Sequence, residues 1–274
     1  MACGASGLNA TIHQYLASRS GRTDRKVSRM IRWTWVFLDR PADRFDAAFD
    51  FWSAVTGTRL SERRGEHGEF ATLIPADGDA YLRAQAVGGP GGAHPDFDVD
   101  DLAAARRHAH ALGAVTVADH DTWSQLRSPH GQSFCLTTDD GRRIPSPVAG
   151  PGGELSRLDQ LSVDIAPGVY DREVTFWAAL TGWELQPAAE PEFVRLLPPS
   201  GLPFRMLLQR LGEDRPGGAH PDIACTDIEA VASWHEKHGA RRVSRGAHWI
   251  VMNDPTGGVY CLTPRDPRTG RLPE

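Results

Sequence analysis

Residues Phe49 to Leu60 read FDFWSAVTGTRL, and residues Val174 to Leu185 read VTFWAALTGWEL. Phe51, Trp52, Thr56 and Gly57 recur as Phe176, Trp177, Thr181 and Gly182 at an offset of 125, and Asp39 recurs as Asp164 at the same offset. Further along, PGGAHPD at Pro90 to Asp96 returns at Pro216 to Asp222, and Gly113-Ala114 returns as Gly239-Ala240. Pro129 and Gly131 return as Pro255 and Gly257, and Cys135-Leu136-Thr137 as Cys261-Leu262-Thr263, all at an offset of 126. Matches in one order at one spacing exclude coincidence. The chain is two copies of one sequence of about 115 residues, too long for a solenoid repeat and the size of an ordinary domain. The copies run over 31–147 and 154–265. Ser146 to Gly153, SPVAGPGG, has the Pro/Gly composition of a linker between them. Duplication on this scale is expected to pair the copies as two subunits of a dimer would pair.

Composition narrows the functions. The chain has 274 residues, 40% hydrophobic and 24% charged, a globular balance with enough length for two cores. Lys plus Arg number 30 against 35 Asp plus Glu, so the formal charge of -5 argues against a general nucleic-acid binder. Four cysteines (Cys3, Cys135, Cys225, Cys261) have no CxxC spacing, which speaks against a zinc ribbon or a disulfide scaffold and for a reducing cytoplasm. No apolar run approaches the ~20 residues of a membrane helix. Residues 1–29 include the basic run RSGRTDRKVSR with no apolar stretch after it. They read as a disordered tail, or as an early start with Met30 the working initiator; a targeting or nucleic-acid arm has only that short run in its favour.

Periodicity places the elements. Leu161, Val163 and Ile165 alternate with Gln160, Ser162 and Asp164, the period of a half-buried strand, and Trp35 to Asp39 is its partner in the first copy. Helices are expected over Arg44 to Val55 and Asp171 to Leu180, stopped by Gly57 and Gly182. Strand-like runs follow at Glu69 to Ile74, Tyr81 to Val87, Phe193 to Leu197 and Phe204 to Leu211. PGGAHPD reads as a turn, after which the order restarts. Phe97 to Val99 and Ile223 to Cys225 read as strands, Asp100 and Thr226 as helix N-caps, and Gly113 and Gly239 as helix stops. Three short strands close each copy. The βαβββ module therefore occurs twice per copy and four times per chain, an α+β pattern rather than a doubly wound sheet. Neither GxGxxG nor GxxxxGK[ST] is present, so dinucleotide and phosphate-loop readings lose their main support.

The strand at Gln160, the FWAALTGW helix, HPDIACTDIEAVASWHEKHGA and NDPTGGVYCL together resemble the glyoxalase-like and bleomycin-resistance-like branch of the vicinal oxygen chelate superfamily. The resemblance covers about residues 31 to 265. It implies two tandem domains of paired βαβββ modules, each curving into a cup-like sheet. It also implies four metal-ligand positions inside each cup, usually filled by His or Gln, Glu, His and Glu. Carried over, those positions are Gln160, Gln209, His220 and Cys261 in the second copy and Trp35, Gln85, His94 and Cys135 in the first.

Both copies lack a carboxylate at these places, and the Trp35 indole offers only a donor. A divalent metal is accordingly expected in the second copy only, held if at all by His220, Gln160 and Cys261. Thiolate and imidazole would suit zinc, whereas Cys261 as a small buried hydrophobe is the simpler reading. His94 and His220 read either as ligands or proton acceptors at the cup's mouth, or as turn histidines bonded to Asp96 and Asp222. Trp35 and Trp249, on strand-like runs, either line a pocket for a flat ligand or fill it. Arg205, Gln209, Arg83 and Gln85 could anchor a ligand oxygen.

Three functions stay open. The first is a metal-free protein that sequesters a hydrophobic or aromatic metabolite. The second is a metal-dependent lyase, isomerase or dioxygenase, with His220 and Gln160 as the reacting and orienting groups. The third is an interaction module with a filled cup. The expected partner is a small molecule rather than a nucleic acid or membrane, and the expected state is a monomer or homodimer.

Overall fold

The computed structural model describes residues 30–272, so the expectation for residues 1–29 lies outside the described residues. The first copy runs β1 (Ile31–Pro41), a single 3-10 turn, α1 (Phe45–Thr56), β2 (Thr58–Leu60), β3 (Phe70–Pro75) and β4 (Leu82–Val87). It continues through β5 (Gly92–Val99), α2 (Leu102–Ala111), β6 (Val115–Asp119), β7 (Trp123–Arg127) and β8 (Ser133–Thr137). A short β9 (Val148–Ala149) pairs with the start of β10 (Leu155–Ile165). The second copy repeats the order with α3 (Tyr170–Thr181), β11 (Glu184–Pro187), β12 (Phe193–Leu197) and β13 (Arg205–Arg210). It ends with β14 (Gly218–Cys225), α4 (Ile228–Lys237), β15 (Arg241–Arg245), β16 (Ile250–Asn253) and β17 (Val259–Thr263).

Local chemistry explains the helices. Phe45, Ala48, Phe49, Trp52 and Val55 recur at helical spacing and are the buried face of α1. Gly57 stops the helix in the left-handed conformation at φ 60°, where a side chain would be strained. The N-caps of α2 and α4 fall one residue later than expected. The Asp101 side chain accepts from Ala104 N, and Asp227 accepts from Glu229 N and Ala230 N.

A larger correction concerns PGGAHPD, which is not a turn beyond its first glycines. β5 begins at Gly92 and β14 at Gly218, so His94 and His220 sit within strands. Proline lacks the N–H of a ladder bond, but pairing of β5 with β8 begins only at Asp96, one residue past Pro95.

Each copy forms an open, curved, mixed sheet with no barrel closure. The strand orders are β2-β3-β4-β1-β5-β8-β7-β6 and β11-β12-β13-β10-β14-β17-β16-β15. The hairpin strands are antiparallel, while β1 with β4, β5 with β8, and β14 with β17 run parallel. The chain is α+β and comprises two tandem domains, as the repeats required.

By contacts the chain divides into two compact units. The first takes in the described residues up to Thr34 with Asp96–Asp140 and Ser162–Gly218; the second takes in Trp35–Pro95, Gly141–Leu161 and the residues from Ala219 onward. Each unit therefore combines one module from each sequence copy. In the first, Phe97 and Phe134 pack against Trp177 at centroid distances of 6.4 and 5.4 Å. In the second, Trp52 and Phe51 pack against Tyr260 at 5.3 and 5.9 Å. No helix among the described residues is long and apolar enough to cross a membrane.

Candidate metal centre

β14 carries His220 and Asp222 two residues apart, so both point to one face of the strand. The parallel ladder sets Asp222 opposite Cys261 of β17. The donor atoms of His220, Asp222 and Cys261 all lie within 4.8 Å of one another. From β10, Gln160 reaches the same place and donates Nε2–H to Asp222 Oδ2 at 2.5 Å. His220 Nε2 stands 3.6 Å from Asp222 Oδ1, beyond hydrogen-bond range. Asp222, Gln160 and Cys261 are buried, while His220 is partly exposed.

A buried carboxylate needs compensation. Arg265 and Asp159, both buried, form an ion pair with Nη2 2.5 Å from Oδ1. Burial pushes the Arg265 guanidinium towards its neutral form, and the charges of Asp159 and then Asp222 outweigh that and keep it protonated. Arg265 thus brings a positive charge near enough for Asp222 to act on it electrostatically. Cys225, two residues past Ile223 on β14, is a buried thiol pushed upward in pKa by its burial, an inert wall rather than a ligand.

The donor set fits a divalent cation. One imidazole, one carboxylate and one thiol are borderline ligands of the kind zinc and its neighbours accept, and three protein donors leave a position for substrate. The carried-over positions hold no carboxylate in either copy, but one stands beside them. Asp222 supplies it from a neighbouring position rather than from the position of Cys261. The same donor types recur in the first copy, where Asp96 faces Cys135 in the β5–β8 ladder and His94 precedes Asp96 by two residues. Suitable donors are therefore not confined to the second copy.

The two copies differ around these histidines. His94 Nδ1 is bonded to Asp39 Oδ2 at 2.7 Å, a partner the sequence pattern did not indicate, and its ring stacks on Phe37 at 4.7 Å. Gln85 lies beside Asp39 in the β1–β4 ladder. Trp35 is buried beneath Arg83, whose guanidinium carbon stands 3.7 Å from the ring centroid. The second copy has Gln160 and Ser162 where the first has Trp35 and Phe37, so a polar pair replaces two large rings.

The remaining expected residues are placed as follows. Gln209 and Arg205 lie on β13 in the first contact unit, whereas Gln160, His220 and Cys261 belong to the second. Gln209 is paired with Phe193 across the β12–β13 ladder. Trp249 does not lie on a strand but immediately before β16, partly exposed with its ring over Gly246. Asp222 and Asp96 were missed as donors by sequence reasoning. The signal was available in the i, i+2 spacing of HPD, but it becomes legible only once that run is known to be a strand.

Comparison with known proteins agrees with this architecture. The glyoxalase-like domain family matches residues 35–137 and again 160–263. No curated protein matches the chain. Among solved structures, the Mn(II)-bound glyoxalase from Novosphingobium aromaticivorans is similar at 17% identity and a TM-score of 0.63, covering 89% of this chain and 87% of that one. The 2,2',3-trihydroxybiphenyl 1,2-dioxygenase of Sphingomonas wittichii strain RW1 is similar at 17% identity and a TM-score of 0.58, covering 89% and 95%. A variant of homoprotocatechuate 2,3-dioxygenase from B. fuscum is similar at 13% identity and a TM-score of 0.58, covering 86% and 72%. At these identities the likeness is one of fold.

Proposed function

The chain belongs to the glyoxalase-like domain family, and from that premise we propose that it acts on a small organic molecule at a divalent cation held by His220, Asp222 and Cys261. The observation that carries this reading is the convergence of three chemically different donors within 4.8 Å, two of them buried. A bound cation would polarise an oxygen of the substrate. Gln160 holds the Asp222 carboxylate in one orientation through its Nε2–H. His220, the partly exposed member, binds the cation or accepts a proton from the substrate. The first copy's histidine is tied to Asp39 and stacked on Phe37, so the working site is assigned to the second copy. The substrate class proposed is a hydrophobic or aromatic metabolite bearing adjacent oxygens. Support comes from solved neighbours whose names are those of a Mn(II)-bound glyoxalase and a dioxygenase of a trihydroxybiphenyl.

Sequestration without a metal is the second reading, favoured by the Gln160 bond that already occupies one Asp222 oxygen. Elemental analysis of protein purified without chelators, with a cobalt titration alongside, separates the two. Stoichiometric metal is expected in the wild type and in His94→Ala, with loss in His220→Ala and Asp222→Ala. The cobalt–thiolate absorption band should vanish in Cys261→Ser. Wild-type protein that holds no metal and gives no cobalt band would leave sequestration as the function.

A further inference from the structure

A cavity of about 310 Å³ lies in the second contact unit, and none of Gln160, His220, Asp222 or Cys261 lines it. Its wall includes Val55, Leu73, Leu82 and Val148, together with Thr58 and Ile223. The volume is at the lower end of the roughly 300–1,000 Å³ typical of ligand pockets, room for one small molecule.

The duplication supplies a reference for this space. Thr58 follows Gly57 as Trp183 follows Gly182, and Ile223 follows Asp222 as Phe97 follows Asp96. In the first contact unit the two large residues meet, with the rings of Trp183 and Phe97 6.1 Å apart between centroids. Trp183 packs against Phe204 as well, at 6.2 Å, and all three rings are fully buried. In the second unit both matching places hold smaller side chains, and both line the cavity. The cavity therefore lies where the other unit sets an indole and a phenyl ring. Interiors pack densely, so a void left there forfeits contacts that a guest of the same shape restores.

The polar side chains of the wall already have partners. Thr56 Oγ1 donates to Trp52 O at 2.6 Å and lies 2.9 Å from Thr58 Oγ1. Tyr81 gives its hydroxyl hydrogen to Leu158 O at 2.7 Å. Asp77 accepts from Ser146 N at 2.9 Å and from Ser146 Oγ at 2.6 Å, which latches the segment joining the two copies against the cavity. Gly57 lets Val148 of that segment close in, since a Cβ there would stand 3.0 Å from a Val148 methyl. Strand alternation turns Arg157 to the face of β10 opposite Ser156 and Leu158, so it brings no charge to the space. A buried ligand charge would find no counter-charge here, and a neutral apolar body needs none.

We propose that this cavity is a second binding site, for an uncharged aromatic molecule of about the size of indole, seated where Trp183 and Phe97 meet in the other unit. The site is independent of the metal reading. The test is isothermal titration of the full chain with indole, with indole-6-carboxylate as the charged control. One indole per chain is expected, with the carboxylate weaker by about tenfold or more, the cost of an unpaired charge. Thr58→Trp supplies the ring that the other copy carries, so it should weaken indole by about tenfold or more and melt no lower than wild type. Ile223→Phe makes the matching change on the opposite wall and should weaken indole in the same direction, which keeps the test open if Thr58→Trp folds poorly. His220→Ala and added chelator should leave indole binding unchanged. Wild-type protein that ignores indole, or binds the carboxylate equally well, overturns the proposal. So does a folded Thr58→Trp or Ile223→Phe that binds as wild type does. Binding that disappears in His220→Ala or with the chelator would put the ring at the cation and also overturn it.

Discussion

Trp52 and Trp177 are the same residue of the duplicated helix, and both are fully buried with an indole N–H that must find an acceptor. The two contact units satisfy it differently. In the second unit Trp52 Nε1 donates to Asp254 Oδ2 at 3.0 Å, and Asp254 comes from the loop before β17. Arg40 Nε binds the same oxygen at 2.5 Å, and Thr256 N and Gly258 N donate to Oδ1. In the first unit Trp177 Nε1 donates to Glu173 Oε2, one turn earlier on its own helix, and His130 N donates to Oε1. Among the described residues no arginine takes the part of Arg40 there, and Ile165 occupies the corresponding place in the second copy. The difference shows in the acids. Burial would raise Asp254, but the Arg40 charge and the hydrogen bonds outweigh it and hold its carboxyl below the ordinary value. Burial raises Glu173, and hydrogen bonds from Ser128, His130 and Trp177 only partly offset it. One architectural demand has been met once by an ionised pair and once by a carboxyl without an arginine counter-charge.

The largest effect should come from breaking the charged version. Asp254→Ala leaves Arg40 buried without its partner and orphans the Trp52 N–H, a loss of about 3–5 kcal/mol of unfolding free energy. Chemical denaturation would read it, and a loss below about 1 kcal/mol would mean that the pair contributes nothing beyond a surface one. Gly258→Ala attacks the same cluster sterically, since a Cβ there would overlap the Arg40 guanidinium. A cost of about 1–3 kcal/mol is expected, as for overpacking elsewhere. The residue of the first copy that corresponds to Gly258 is Gln132, so the unit without the pair carries no such glycine requirement.

Caps give a smaller contrast. Asp227 accepts two backbone N–H groups of α4 and Asp101 one of α2. Asp227→Ala should cost about 1 kcal/mol and Asp101→Ala somewhat less, within the range for lost N-caps. Thermal melts of the two variants compare them directly.

The finest comparison is the sign of the pH dependence. A depressed carboxyl stabilises above its unfolded pKa and loses that contribution as pH falls through its folded value, so the deficit of Asp254→Asn should shrink below about pH 4. A raised carboxyl does the reverse. Its contribution is present below the ordinary value of 4.5 and is lost as pH climbs through that value towards the folded one. Glu173→Gln should therefore gain on wild type between mildly acidic and neutral pH, ending within about 1 kcal/mol of it. Parallel slopes for the two variants would show that Glu173 has a full counter-charge after all.

The duplication, the βαβββ order and the α+β class were legible in the sequence, because they rest on periodicity and on identities at one spacing, which need no knowledge of distant contacts. Of the proposed site, Gln160, His220 and Cys261 had been carried over from the family resemblance. Tertiary structure alone decided the rest. Whether HPD is a turn or a strand depends on neighbours β1 and β8, which lie far away in sequence, and in the second copy only that choice turns Asp222 towards Cys261. Likewise nothing local to Arg40 points to Asp254, 214 residues on. Local pattern fixes which residues face inward; which buried charges meet is settled by the packing of one copy's module against the other's, since a buried charge is tolerated only where the fold delivers its partner.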